Sequence, residues 1–309
     1  MSSIPSVAVL MSTYNGEKYL REQIDSILSQ KGVDIHLYIR DDGSDDKTIE
    51  ILEEYAKEDL LRYKLGKKNL GAGSSFMHLL YSVPDQYDYY AWSDQDDVWL
   101  DDKICVAVDM IKSSGKQLYI SNLMCVDKDL NSIGLRNRER ADTSIYSIIC
   151  ENQTNGCTMV FTKAFRNELA EERRRPDDSL FLSRYHDTWT AMVGSVKNAI
   201  TYDSDYHILY RQHESNEVGS VVYNSPIAKI RLKLKKMRNA SKRHGRSRAA
   251  SELVKCYPEF TEGDTFIQAL AEPKIAVNKI KLIRMYSLYR QHGSQGKLSY
   301  ILYVILGLI

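Results

Sequence analysis

Several things are scarce in this chain. No stretch approaches eighteen consecutive apolar residues, so no membrane-spanning helix is expected. The cysteines number five: Cys105, Cys125, Cys150, Cys157 and Cys256, scattered and without a CxxC pair. That argues against a disulfide framework or a zinc site and for a reducing, cytoplasmic setting. Charge of one sign is also lacking. Forty-two Lys plus Arg face 41 Asp plus Glu, a net of +1, so no global field selects nucleic acid or another polyanion. The opening "MSSIPSVAVLM" has no basic segment ahead of its apolar run, so no signal peptide is expected. No GxGxxG follows the first strand-like piece, which disfavours a dinucleotide oxidoreductase.

What remains is an ordinary globular composition, 43% apolar and 27% charged over 309 residues, long for one domain and short for two. Twenty-one tyrosines suit a sugar or nucleotide cleft, and half-buried strand positions equally well. The first hundred residues alternate strand-like and helix-like pieces. "SVAVLM" (6–11), "DIHLYIR" (34–40), "LRYKL" (61–65) and "YDYYAW" (87–92) read as strands. Helical spacing separates them, with Leu20, Ile24, Ile27 and Leu28 in the first helix and Leu52, Tyr55 and Ala56 inward in the second. This rhythm predicts an α/β fold, a mainly parallel sheet with helices on both faces and ligands beyond the carboxyl ends of the strands. Further on, 117–121 and 157–161 read as strands, 135–144 as a loop, and 184–195 as a helix. "NAITYD" and "YHILYRQ" close the catalytic part near residue 215.

Three strand ends carry "STYNGE", "DDGSDD" and "SDQDD". Like charges a few ångströms apart repel, and a buried lone carboxylate is strongly penalised. Asp94 and Asp96, two apart at a strand end with Gln95 between them, make sense if both reach one hard cation, Mg²⁺ or Mn²⁺, which takes oxygen ligands and the phosphates of a substrate. Asp101 and Asp102 are better explained as the start of the helix "DKICVAVDMI".

"STYNGEKYL", "RDDGSDD", "NLGAGSSF" and "SDQDDVWLDDK", in that order, resemble family 2 glycosyltransferases of the GT-A fold, across roughly residues 6–215. "HDTWTA" and "YRQHESNEVG" are similar to the bacterial subgroup that includes rhamnosyltransferases of cell-wall and capsular polysaccharides. The family's usual proline after "DVWL" is Asp101 here. The resemblance implies roles. Thr13, Tyr14 and Asn15 would cradle the nucleotide, Tyr14 lying against a base and Glu17 accepting from a ribose hydroxyl; a turn with a helix cap explains the same residues. Asp42 would accept the N3–H of uracil or thymine. Asp41 and Asp45 are read as turn and cap residues. Asn69 and Gly71 would flank the nucleotide. Asp94 would sit near ribose or metal, and Asp96 would be the main metal ligand.

Inverting glycosyl transfer needs a base for the acceptor hydroxyl and a stabiliser for the departing diphosphate. Asp187 matches the family's base, and also suits a helix N-cap. His213 would contact the diphosphate or the metal, or be structural. Arg211 suits phosphate oxygens. Trp99 and Trp189 would offer a platform for a sugar face, or belong to the core. Asn155, with Gly156 and Cys157, would shape the acceptor side; Cys157 has no activating context for a nucleophile. The expected partners are a UDP- or dTDP-sugar, dTDP-L-rhamnose preferred, and a saccharide or polyprenyl-linked acceptor. Another sugar of the UDP series, or a non-catalytic polysaccharide- or lipid-binding relative, are the alternatives. A nucleotidyltransferase would want a Gly-rich, Arg-containing loop where this chain has "MSTYNGE".

Composition shifts after "NSPIAK", which places a boundary near 220: a catalytic domain, 1–220, and a basic helical region, 221–309. Residues 229–248 hold ten Lys or Arg and no acid. A basic, partly amphipathic stretch suits an anionic surface such as the inner face of the cytoplasmic membrane, and a solvated helix equally. The closing "SYILYVILGLI" is too short to span a bilayer, but long enough to dip into one or pack on a partner. Nucleic-acid binding is not expected, and an oligomer is compatible with the sequence.

Overall fold

The structure is a computed structural model that describes residues 4–182, 185–213, 244–293 and 296–306. The basic run at 229–243 and the expected boundary near 220 lie outside the described residues.

The strands are β1 (Ser6–Thr13), β2 (Asp34–Asp41), β3 (Leu61–Leu65), β4 (Tyr89–Ser93), β5 (Val98–Trp99), β6 (Leu118–Val126), β7 (Ser132–Leu135), β8 (Val160–Thr162) and β9 (Ile200–Arg211). Helices α1 (Leu20–Leu28), α2 (Thr48–Lys57), α3 (Ala72–Ser82) and α4 (Lys103–Ser114) connect the first half, and α5 (Ile145–Glu151), α6 (Lys163–Ala170) and α7 (His186–Val196) the second. After residue 243 come α8 (Gly245–Cys256), α9 (Pro258–Thr261), α10 (Thr265–Ala271), α11 (Ala276–Arg284), α12 (Tyr286–His292) and α13 (Lys297–Ile305).

One sheet runs β3-β2-β1-β4-β8-β6-β9-β5, with β7 paired to β6. The long ladders, β1 with β2 and β4, β2 with β3, and β6 with β9, are parallel. The short β8 and β5 run antiparallel to their neighbours. The sheet is therefore mainly parallel, with helices on both faces. The period-two alternation of a strand decides its faces. In β1, Ala8 and Leu10 join Tyr90, Trp92 and Phe161 in one core, while Val7, Val9 and Met11 join Tyr89, Ala91 and helices α1, α2 and α4 in the other. That two-sided burial is why Val7–Met11 reads as an unbroken apolar run.

Details depart from the expected pattern. The pieces "NAITYD" and "YHILYRQ" form one strand, β9; register shifts around Asn122 in β6 absorb the polar Ser204–Asp205 between them. Residues 156–158 are a 3₁₀ turn rather than strand. In α2 it is Ile51 and Leu52 that are buried, with Tyr55 and Ala56 only half-covered. Helix α7 is apolar nearly all round, with Trp189, Ala191, Met192 and Val193 fully buried, because the C-terminal helices cover the side that does not face the sheet. Leu253, Tyr257, Phe266 and Leu270 share the first core with Trp92 and Trp189.

Candidate active site

The carboxyl ends of β1, β2 and β4 and the start of α7 surround an open cleft of about 320 Å³. Parallel strands place those ends on one edge of the sheet, so polar loops that an apolar strand could not carry internally collect there. Thr13, Tyr14, Asp42, Asn69, Asp94, Asp96 and Asp187, all singled out from the sequence, line this cleft.

Asp42 is 2% exposed and paired with Arg40. It also accepts from the Leu70 amide at 2.9 Å and the Gly71 amide at 2.8 Å. Gly71 adopts φ +77° as it opens α3, a conformation that favours glycine. A carboxylate has about four acceptor sites, so these three partners hold Asp42 rigidly and leave capacity for one more donor. Asn69 accepts from the same Gly71 amide at 3.0 Å. Tyr14 is half-exposed, and its backbone is gripped from both sides by the Gln95 side chain, at 2.9 and 3.0 Å. This ties the first loop to the acidic loop. A Cβ at Gly16 would collide with the Gln95 amide, which makes Gly16 a close-approach glycine.

Asn15 and Glu17 do not line the cleft. Asn15 accepts from the Asp45 amide at 2.9 Å, and Glu17 accepts from the Lys47 amide at 3.0 Å, ahead of α2. Both spend their oxygens on backbone N–H groups that a helix start leaves unpaired. The turn role expected of Asp41 is present: its carboxylate accepts from Gly43 and Ser44 amides at 3.0 and 2.9 Å. The cap role expected of Asp45 falls instead to Asp46, which accepts from Thr48 N–H at 2.9 Å. Asp102 occupies the N-cap position of α4 without capping it; its carboxylate meets His207 Nδ1 at 2.9 Å. Asp101 pairs with Lys31.

Asp94 and Asp96 also line the cleft. His213 Nε2 stands 2.8 Å from Asp96 Oδ2, a contact between residues 117 apart in sequence. Asp94 and Asp96 offer carboxylate oxygens at the cleft, the ligand type that hard cations such as Mg²⁺ or Mn²⁺ take, while His213, outside the cleft lining, reaches them through Asp96. Asp94, Asp97 and Cys157 also cluster, their ligand atoms within 4.8 Å of one another. That second set does not fit a hard cation. Asp97 and Cys157 are fully buried, and burial followed by the neighbouring aspartates pushes both well above their ordinary values, toward the neutral acid and the thiol. The same environment keeps the Cys157 sulfur in its thiol form, which is a poor nucleophile. Lys103 lies in this layer too, 3.7 Å over the Trp99 ring, lowered by burial to about 7.

Arg211 is not a phosphate ligand here. It is 2% exposed, lies on the Tyr19 ring, pairs with Glu22, and donates to the Asp96 carbonyl at 3.0 Å and the Lys128 carbonyl at 2.7 Å. Its own N–H donates to Asp97 Oδ1 at 3.1 Å. Arg211 thus braces the acidic loop from behind. Trp99 and Trp189, 3% and 0% exposed, sit in the two cores and form no sugar platform. Both tryptophans fall where α1 and β9, or the C-terminal helices, close over them, which neighbouring sequence does not reveal.

Asp187 stands in the first turn of α7, inside the helix rather than at its N-cap, with its carboxylate accepting from the Thr188 amide. A helix N-terminus favours a negative side chain. Beside it His186 is 5% exposed, stacked on Phe76 at 3.8 Å, with both ring nitrogens unpartnered; burial alone lowers it to about 3. Gly156 lies against both: a Cβ there would come within 2.9 Å of His186 Nε2 and 3.0 Å of Asp187 Cβ. Asn155 itself is outside the cleft lining, although its side-chain N–H₂ is buried without a partner. Phe76, Gln95, Tyr185, His186 and Tyr210 line the cleft without having been singled out. Tyr185 and His186, just ahead of Asp187, and Gln95, between Asp94 and Asp96, carried a positional signal; Phe76 and Tyr210 arrive through helix and strand packing.

A family model described as glycosyl transferase family 2 matches residues 8–174. Among curated relatives, the dTDP-rhamnosyl transferase RfbG of Shigella flexneri is 32% identical over 219 residues, covering 68% of this chain and 74% of that protein. The putative glycosyltransferase EpsE of Bacillus subtilis is 40% identical over 100 residues, 32% of this chain and 35% of its own length. Among solved structures, S. aureus TarS 1-349 in complex with UDP-GlcNAc superposes with a TM-score of 0.56 at 16% identity, covering 97% of this chain and 90% of that one. At that identity the likeness carries the fold.

Proposed function

Since this chain belongs to glycosyl transferase family 2 and is a glycosyltransferase, we propose that it transfers a sugar with inversion from a pyrimidine nucleoside diphosphate donor, dTDP-L-rhamnose first among them, to a saccharide or lipid-linked saccharide acceptor in surface-polysaccharide synthesis. One observation carries this reading: Asp42, Asp94, Asp96 and Asp187 line a single cleft, which supports one carboxylate for the pyrimidine, a pair for the metal and diphosphate, and one for the acceptor hydroxyl.

Asp42 offers a fixed carboxylate to the N3–H of uracil or thymine, a bond that cytosine, with no N3–H, does not make. Tyr14, half-exposed beside it, offers a ring face to the base. Asp94, Asp96 and His213 would hold Mg²⁺ or Mn²⁺, which when bound supplies charge stabilisation to the leaving diphosphate. Asp187 takes the proton of the acceptor hydroxyl as that oxygen bonds to the anomeric carbon and the bond to the diphosphate oxygen breaks. Such a positioned base contributes on the order of 10²–10⁴ in rate. Rhamnose as the transferred sugar rests on the Shigella relative's name and on the "HDTWTA" resemblance. The five free thiols, four of them buried, suit a reducing cytoplasmic location.

A thermal-shift series of nucleotide sugars with and without Mn²⁺ tests the reading. Stabilisation by dTDP-L-rhamnose that depends on Mn²⁺ is expected. Stabilisation by UDP-GlcNAc alone would move the donor to the UDP series, and no stabilisation by any pyrimidine donor would reject the reading.

A further inference from the structure

Among the described residues, seven of the sixteen exposed large hydrophobic side chains fall between Ile275 and Leu306. They are not scattered. On α13, Leu298, Leu302, Ile305 and Leu306 recur at i, i+4, i+7 and i+8, one stripe of a helix, and Leu298 is 86% exposed. Tyr300 and Val304 are buried on the opposite side of the same helix. Helix α13 is therefore apolar on both faces but covered on one. Helix α11 packs beside it and adds exposed Val277 and Ile280; Lys279 Nζ donates to the Ile305 carbonyl at 2.7 Å, joining the two helices at that end.

Charge selects what covers this face. From residue 273 to 309 the sequence holds six Lys or Arg and not one Asp or Glu. Lys281, Arg284 and Lys297 are exposed on α11 and at the start of α13. A second copy docking through this face would set cations against cations with no acid from this stretch to pair them. An anionic lipid surface supplies both things the face lacks, hydrocarbon for the stripe and negative headgroups for the lysines. We propose that the exposed face of α11 and α13 is a peripheral membrane-docking surface for anionic phospholipid. This surface differs from the basic run at 229–243, and the proposal stands whether or not the donor assignment above is right.

Co-sedimentation of the full chain with phosphatidylcholine vesicles, with and without phosphatidylglycerol, tests it. The chain is expected to bind the phosphatidylglycerol vesicles and to release as salt rises. L298S/L302S, two surface changes that leave the core intact, should weaken that binding by about tenfold or more. K281E/R284E should remove the preference for phosphatidylglycerol. Melting temperatures and Mn²⁺-dependent donor binding should stay unchanged in both variants, which separates docking from folding and from the cleft. Vesicle binding that is absent in the wild type, or that survives both variants, would overturn the proposal. So would a wild-type dimer, seen by light scattering, that L298S/L302S converts to monomer without any vesicle binding.

Discussion

A buried imidazole that makes no hydrogen bond destabilises the protein that keeps it. His186 is such a group, and its folded value near 3 lies below its ordinary 6.5. Between those values the unfolded chain binds a proton that the folded chain refuses. Stability from this site is therefore fully present above pH 6.5 and falls as the pH drops toward 3, by about 1.4 kcal/mol per pH unit inside the window. His186→Phe, which keeps a ring against Phe76, should flatten the acid branch of a melting-temperature profile and leave the neutral branch unchanged or raised. An equally steep acid branch in the variant would assign the loss to other groups. The neighbouring residue gives a sharper kinetic expectation. Asp187→Asn keeps the shape and the Thr188 contact but cannot take a proton; turnover should fall by about 10²–10⁴-fold with donor affinity unchanged. Asp96→Ala removes both a cleft carboxylate and the partner of His213, so calorimetry should find donor binding that no longer responds to Mn²⁺.

The acidic loop between β4 and β5 is a device of several elements. Gln95 fastens it to the first loop, Arg211 of β9 holds its Asp96 carbonyl, and Asp97 accepts from the β9 backbone. Arg211→Met should therefore weaken Mn²⁺ affinity by about tenfold, the scale set for partners that orient metal ligands, while isolated dTDP binding without metal changes little. An unchanged Mn²⁺ titration would show that the loop holds its shape without the brace. This element also shows where sequence reading stops. "SDQDD" after a strand marks a polar, acidic loop at the cleft by its charge density alone. Which strand locks it in place depends on β9 pairing with β5, more than a hundred residues distant in sequence, and with β6. Arg211 looked like a phosphate ligand because a guanidinium suits phosphate and carbonyl oxygens alike, and only burial separates the two uses.

For the whole molecule, the described C-terminal helices are part of the core that backs the cleft. Tyr257 lies 6.0 Å from the Trp189 ring, Arg174 reaches the Cys256 carbonyl at 2.5 Å, and Tyr146 donates to Asp264 at 2.7 Å. Truncation after residue 243 should strip cover from α5 and α7, expose Trp189, and leave a chain that aggregates or melts far below the full protein. A soluble truncation with the wild-type melting temperature would show that the catalytic part folds alone. Helix α7, carrying Asp187, is thus held from one side by the sheet and from the other by helices that a composition shift had marked as separate.

By itself, the sequence determined the alternation of strands and helices, the parallel arrangement it requires, the polar loops at the strand ends where Asp42, Asp94 and Asp96 reside, and the helix whose first turn carries Asp187. Those are local properties, written in periodicity and in short motifs. Tertiary structure alone decided the rest. It turned Glu17 and Asn15 toward the start of α2, buried Trp99 and Trp189, made Arg211 a brace, brought His213 onto Asp96, and left His186 unpartnered beside Asp187. Burial and pairing between distant segments depend on which surfaces meet, and that is a property of the packed chain rather than of any stretch within it.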